Sequence, residues 1–229
     1  MVDKMRELWR VWYDASHNAA ENMAIDAVLL ESVTKPTLRF YNWSRNAVTI
    51  GVAQKYKETK REGFECVRRQ TGGGVVDHSN SYTYTVVFPS GHAMTQEDTL
   101  ACYQQINEAV SMGIAMMNFK VELTEKEISK DVPRSSMPCA MHPTKYDIVN
   151  EAGKISGCAQ RRNLGGILHQ GYIEDVVGDE ETLRKYIVEG IRQVFKCDFE
   201  EFAKPEEFEN RVTELVETQY GNDTWNKKR

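Results

Sequence analysis

The sequence lacks any apolar run approaching the roughly 20 residues that a membrane-crossing helix needs, so no membrane role is expected. Its opening stretch, MVDKMRELWRVWYD, is charged throughout and has no apolar centre, so a secretory signal is not expected either. Cysteines are scattered (Cys66, Cys102, Cys139, Cys158 and Cys197), odd in number and never spaced as CxxC. That speaks against a disulfide framework or a zinc site and for free thiols in a reducing, cytoplasmic setting. The five histidines follow no metal-binding spacing, and no metal is expected. A basic excess is missing too: the net charge of -5 argues against nucleic acid as a partner. No repeat, low-complexity run or Pro/Gly-rich linker divides the chain, and residues 1–229 read as one domain.

What is present is an alternation of strand and helix signals. Asn18 with Glu21 reads as a capping box opening a helix to about Val33, with Met23, Ala24, Ala27 and Leu30 at helical spacing. Strand-like runs follow in two pairs, Thr37–Trp43 with Ala47–Val52, and Glu65–Gln70 with Tyr82–Phe88 across a glycine-rich loop. Thr95 and Asp98 resemble a second capping box, opening a long helix whose apolar face is Tyr103, Ile106, Val110, Ile114 and Met117. After a loop with three prolines, Lys145–Gln160 reads as a hairpin turning near Glu151 to Gly153, and Gly166–Asp175 as a further strand. Two helices close the chain, one carrying Leu183, Ile187, Ile191, Val194 and Phe195, the other starting at Pro205 and carrying Phe208, Val212, Leu215 and Val216. Interspersed strands and helices with hairpin connections predict an α+β fold, a mixed β-sheet flanked by helices.

Four features can carry chemistry. RRQTGGG (Arg68 to Gly74) lets the backbone approach a ligand and offer N–H groups to an anion or carbonyl, although a plain glycine-rich connection would read the same. It is not a Walker loop, because no Gly-Lys-Ser/Thr follows. Cys139, between Pro138 and Pro143, is a candidate nucleophile if a cation lowers its pKa; an inert thiol is the commoner fate of a cysteine. Lys154, just past Gly153, can face a cleft or simply sit in solvent. His78, His142 and His169 lie near these motifs and are candidates for proton transfer or for structural roles. Finally, Lys55, Lys57, Lys60 and Arg61 cluster, as do Arg161 and Arg162, and can meet an acidic partner or form a solvated face.

The blocks NMAIDAVLL, PTLRFYNW, VTIGVAQ, VRRQTGGGVV, KYDIVNEAGKISGCAQRR and GILHQG, in this order, resemble the lipoate–protein ligase and lipoyl-protein octanoyltransferase superfamily, which is related to biotin ligases. Together with the end ETQYGNDTWNKKR, they look most like the single-domain cysteine octanoyltransferases. The resemblance implies the biotin/lipoate protein ligase catalytic-domain fold. It implies a substrate tunnel lined by the glycine-rich segment, with Arg68, Arg69, Gly72, Gly73, Gly74, Val76 and His78, and by the KISGCAQ strand, with Ser156, Gly157 and Ala159. Lys154 matches the family's active-site lysine and Cys139 the acyl-accepting cysteine of the octanoyltransferase branch. The sequence departs from that branch in TGGGV for TGGRG, closer to the ligases, in Cys158 where serine is usual, and in the residues after Cys139.

Two mechanisms follow from the resemblance. In the transferase, Cys139 takes an octanoyl group from acyl carrier protein and passes it to the lysine of a lipoyl domain, in a 2-oxoacid dehydrogenase complex or the glycine cleavage H protein, without a cofactor. In the ligase, ATP and Mg²⁺ activate free lipoate as lipoyl-AMP, Lys154 holds the acyl phosphate and Cys139 is incidental. A third reading is a non-catalytic subunit that binds lipoyl domains, against which stand the retained lysine and glycine loop.

Overall fold

The computed structural model describes residues 6–59, 61–126, 143–176 and 178–229. Among them, strands β1 (Glu7–His17), β2 (Thr37–Trp43), β3 (Ala47–Ile50), β4 (Glu65–Arg68), β5 (Val76–Asp77), β6 (Tyr82–Pro89), β7 (Glu122–Leu123), β8 (Ile148–Asn150), β9 (Gly153–Asn163), β10 (Gly166–Ile173) and β11 (Cys197–Glu201) form two sheets. The large sheet runs β11-β1-β2-β6-β10-β9-β8-β7 and the small one β4-β3-β5. β1 is parallel to both its neighbours and β2, β6, β10 and β9 are antiparallel in succession, so the large sheet is mixed.

Helix α1 (Ala19–Ser32) covers one face of the large sheet, and the single turn α2 (Tyr56–Thr59) follows β3. The sequence specifies its start: the Asn18 side chain accepts from Glu21 N, and the Glu21 side chain accepts from Asn18 N at 3.0 Å. Nearly all of its surface is buried, which explains its lack of a polar stripe. The opposite face carries α3 (Thr99–Met116) and α4 (Glu180–Phe195), which pack on each other and on Val86, Phe88, Ile167 and Ile173. The side chains of β6 alternate accordingly: Tyr84, Val86 and Phe88 go to the α3/α4 core, while Val87 goes to the α1 core. Helix α5 (Phe208–Leu215), a π-turn at Val216–Tyr220 and the short α6 (Asp223–Asn226) return along α1.

Several expectations need correction. The two strand pairs are not pairs: β2 and β6 join each other in the large sheet, while β3 and β4 join in the small one. The long helix starts at Thr99 with Asp98 as its cap, because Thr95 ends a preceding 3₁₀ turn (Ala93–Thr95). The last long helix starts at Phe208, and Pro205 lies before it. β1 and β11 lie in stretches not expected to form strands. β1 is paired on both sides and packs Trp9 and Trp12 into opposite cores, so the strict alternation of a half-exposed strand is lost.

Candidate functional site

The small sheet and the glycine segment after β4 lean over β2, β9 and β10 and leave a pocket of about 360 Å³, its open mouth included. Met23 of α1, Tyr41 and Trp43 of β2, Val76, Ala159 and Tyr172 give it a largely apolar lining, with a few polar groups from Thr49, Arg69, His78, Thr83, Cys158 and Gln170. An apolar cleft with few, fixed polar groups suits a small acyl chain better than a charged ligand.

Arg69 builds one wall. Its guanidinium donates to Thr49 O (3.1 Å) and Thr49 Oγ1 (3.2 Å), and to the carbonyls of Gly72 (2.6 Å) and Gly74 (2.7 Å). Arg69 therefore clamps the glycine loop from within, and Gly73 between those two carbonyls takes φ +83°, a conformation that favours glycine. Its neighbour Arg68 points the other way, as adjacent strand residues do. Arg68 is fully buried and donates to the carbonyls of Gly51, Val52, Gln54, Trp225 and Asn226, so it latches the end of the chain instead of reaching the pocket.

His78 stacks on Trp43 (centroids 4.0 Å apart) with Thr49 Oγ1 2.9 Å from Nε2 and Ser81 Oγ 3.2 Å from Nδ1. Burial, reinforced by the Arg69 charge, pushes its pKa down to about 3. The ring is thus engaged at both nitrogens and lines the pocket wall. His169 is likewise held neutral by burial, with a pKa of about 3. His142 lies outside the described residues, as does Cys139.

Lys154 enters from β9 beside the pocket. Its Nζ lies 2.8 Å from Asp147 Oδ2, and both side chains are almost completely buried (2% and 1% exposed). The lysine crosses Gly157 so closely that a Cβ there would sit 2.5 Å from Nζ, and its ammonium is 5.9 Å from the ring centroid of Tyr172, a pocket residue. Glycine at 157 is thus what lets the cation lie flat against the strand. Asp147 Oδ2 also accepts from Thr144 N (2.6 Å) and Thr144 Oγ1 (2.9 Å), whereas no donor among the described residues reaches its buried Oδ1. A buried carboxylate oxygen without a donor is costly, which sets this pair apart from a fully satisfied one. Near this pair, burial and the carboxylates of Asp175 and Asp77 raise Glu174 to about 6 against the opposing pull of Lys154.

Beneath the pocket, Gln170 Nε2 donates to Asp26 Oδ2 (2.6 Å) and Gln170 Oε1 accepts from Thr71 Oγ1 (2.7 Å), which ties the glycine loop to the centre of α1. Of the residues expected at the site, Arg69, Val76, His78 and Ala159 line the pocket, Gly72 and Gly74 are held by Arg69, and Gly157 lies under Lys154. Arg68 and Ser156 do not line it; Ser156 is buried opposite Ile173. Asp147, Asp26, Gln170, Trp43 and Tyr172 were not foreseen. Asp26, set within the apolar stretch Met23–Leu30 of α1, is a local signal for one of them.

The sequence matches the lipoyl protein ligase A/B catalytic domain family over residues 18–219. It is 33% identical over 199 residues to octanoyltransferase LipM of Macrococcus caseolyticus, covering 80% of this chain and 71% of that protein. It is 29% identical to octanoyltransferase LipM of Bacillus subtilis, over 98% of this chain and 99% of that one. Its fold matches lipoate-protein ligase A bound with ATP at a TM-score of 0.79 and 22% identity, over 95% of this chain and 98% of that one. It matches the T. acidophilum protein Ta0514 with bound lipoic acid at 0.80 and 23%, over 96% and 98%.

Proposed function

Since the chain belongs to the lipoyl protein ligase A/B catalytic-domain family, we propose that it is an octanoyltransferase acting on the lysine of a lipoyl domain, with an octanoyl-carrier thioester as donor and Cys139 as acyl acceptor. The observation that carries the chemistry is the buried Lys154 ammonium, fixed by Asp147 against Gly157 at the side of an apolar pocket.

In this reading the octanoyl chain fills the pocket between Met23, Trp43 and Tyr172. The Cys139 thiolate forms a C–S bond to the thioester carbon, and the carbonyl oxygen takes up the electron pair. Lys154 Nζ donates to that oxyanion, in a wall with little water to screen it. Collapse expels the carrier thiolate, which takes a proton. The neutral amine of the acceptor lysine then attacks the acyl-enzyme, the Cys139 thiolate leaves, and loss of a proton completes the amide. The scheme uses neither nucleotide nor metal, and its proposed setting is the cytoplasm; among the described residues no helix is long and apolar enough to cross a membrane.

The TGGG loop favours a second reading, the ligase that forms lipoyl-AMP from lipoate, ATP and Mg²⁺. Intact mass spectrometry after mixing with octanoyl-acyl carrier protein, without ATP, separates the two. An octanoyl adduct on the wild type that vanishes in Cys139→Ala is expected. Labelling of a lipoyl domain that requires lipoate and ATP and survives Cys139→Ala would replace the transferase with the ligase. Binding of a lipoyl domain with no labelling from either donor would leave a non-catalytic binder.

A further inference from the structure

Cations far apart in sequence meet on one surface of this acidic protein. The segment after β3 and the end of the chain enclose a groove of about 840 Å³, its open side included, lined by Lys55, Tyr56, Lys57, Glu58, Lys227 and Arg229. The groove is built, not accidental: Tyr56 N donates to Arg229 O (2.9 Å), and the buried Arg68 guanidinium joins the carbonyls of residues 51–54 to those of Trp225 and Asn226. Trp225 Nε1 returns a bond to Arg68 O (2.7 Å), and its ring carries the Lys228 ammonium 3.4 Å from the centroid.

The charge there is only partly answered within the chain. Lys55 pairs with Glu58 (3.0 Å) and Lys227 with Asp223 (2.5 Å). Among the described residues, no carboxylate lies within salt-bridge distance of Lys57, Lys228, Arg229 or Arg161, all of them exposed. Burial, and then the like charges of Arg68, Arg229 and Arg161, hold Lys228 below the usual lysine value, as expected where cations crowd. Of the other described basic residues in the sequence clusters, Arg61 pairs with Asp77, and Arg162 donates to the carbonyls of Glu97 (2.7 Å) and Asp98 (3.2 Å).

The groove adjoins the pocket by two routes. Gly51, whose carbonyl Arg68 holds, packs directly on the glycine loop; a Cβ on Gly51 would lie 2.2 Å from Gly73 O. Arg161 stands on β9 two residues beyond Ala159 of the pocket wall. We propose that this groove, lined by Lys57 and Arg229, together with the neighbouring exposed cations Lys228 on Trp225 and Arg161 on β9, is the docking surface for the acidic acyl carrier that delivers the octanoyl group. The inference rests on the transferase reading and adds the surface that recognises its donor. An acyl group delivered on a phosphodiester-bearing arm from an acidic domain brings negative charge both on the arm and around its base. A cationic groove beside an apolar pocket complements that combination, steering the domain while the chain enters the pocket.

The test is binding of an acidic acyl carrier bearing a non-transferable octanoyl amide, measured by calorimetry with the full chain. The triple reversal Lys57→Glu/Arg161→Glu/Lys228→Glu is expected to weaken binding at least tenfold, and wild-type binding to weaken as salt rises. A milder Lys57→Gln/Lys228→Gln variant guards against loss of folding and is expected to show a smaller drop in the same direction. In turnover, kcat/KM for the octanoyl carrier is expected to fall at least tenfold relative to that for neutral S-octanoyl-N-acetylcysteamine in the same triple variant. Carrier affinity unchanged by both variants overturns the proposal. So does a loss confined to lipoyl-domain binding, which would make the groove an acceptor surface. A wild type that binds the carrier through these residues yet forms no octanoyl adduct from any donor would sink the transferase reading and leave the docking surface standing.

Discussion

Two buried ion-pair systems flank the pocket, and they are finished to different degrees. Under α1, Arg39 is fully buried and uses its guanidinium on Asp14 (2.8 Å), Asp26 (2.7 Å), Asn22 O (3.2 Å) and Asn22 Oδ1 (2.7 Å), with the Tyr41 ring 3.9 Å away. Asp26 Oδ2 in turn accepts from Tyr41, Thr85 and Gln170. At the other side, Lys154 and Asp147 are as deeply buried, but no donor among the described residues reaches Asp147 Oδ1. Taking charges out of water is repaid only when the remaining lone pairs and protons are satisfied. The first system meets that condition and reads as architecture. The second leaves Asp147 Oδ1 without a donor among the described residues and presses a cation against a glycine, and in the proposed transferase it is this cation that meets the substrate.

The comparison is broken most severely at Asp26. Asp26→Ala strips the buried Arg39 of a partner and frees Gln170, and is expected to cost about 3–5 kcal/mol of stability in urea unfolding. A loss below about 1 kcal/mol would show that the network is not structural. Next is Lys154→Ala, expected to lower kcat for octanoyl transfer by about 10²–10³, roughly 2.7–4 kcal/mol, through loss of an oxyanion donor. Normal acyl-enzyme formation in single-turnover mass measurements on that variant would remove Lys154 from the chemistry. Gly157→Ala sharpens the contrast without touching a charge: its methyl displaces the Lys154 ammonium, and transfer is expected to slow about tenfold, near 1.4 kcal/mol. Equal rates in the two proteins would mean that the lysine's resting position is irrelevant.

A separate step is in pH. His78 and His169 both have folded pKa values of about 3, below the ordinary 6.5, so the unfolded chain binds their protons first. Their contribution to stability is full above about 6.5 and is lost as pH falls toward 3, by up to about 1.4 kcal/mol per pH unit for each ring. Urea unfolding between pH 7 and pH 5 should show this slope, and His169→Gln should reduce it. An unchanged slope would mean that the His169 ring titrates normally.

Much of the fold was legible because its signals are local. The capping box at Asn18 and Glu21, the hairpin of β8 and β9 and the strand β10 all occur where the pattern placed them. β1 was not legible, since it buries Trp9 and Trp12 in opposite cores while leaving Leu8 and Tyr13 exposed, which shows no simple alternation. At the site, the glycine segment and Lys154 stood out by residue type, whereas Asp147 and Gln170 are ordinary polar residues until the chain folds around them.

Legible along the chain were helix α1 with its capping box, the β8–β9 hairpin, β10 and the blocks that carry the family resemblance, since each depends on residues within a few positions of one another. Only the tertiary structure decided that β2 and β3 belong to different sheets and that Arg68 latches the end of the chain while Arg69 clamps the glycine loop. It alone set Lys57 and Lys227 on one groove and, among the described residues, left Asp147 Oδ1 without a donor beside Lys154. Those outcomes turn on which side chains meet across long stretches of chain, and sheet order and helix placement set that, not the spacing of residues along the sequence.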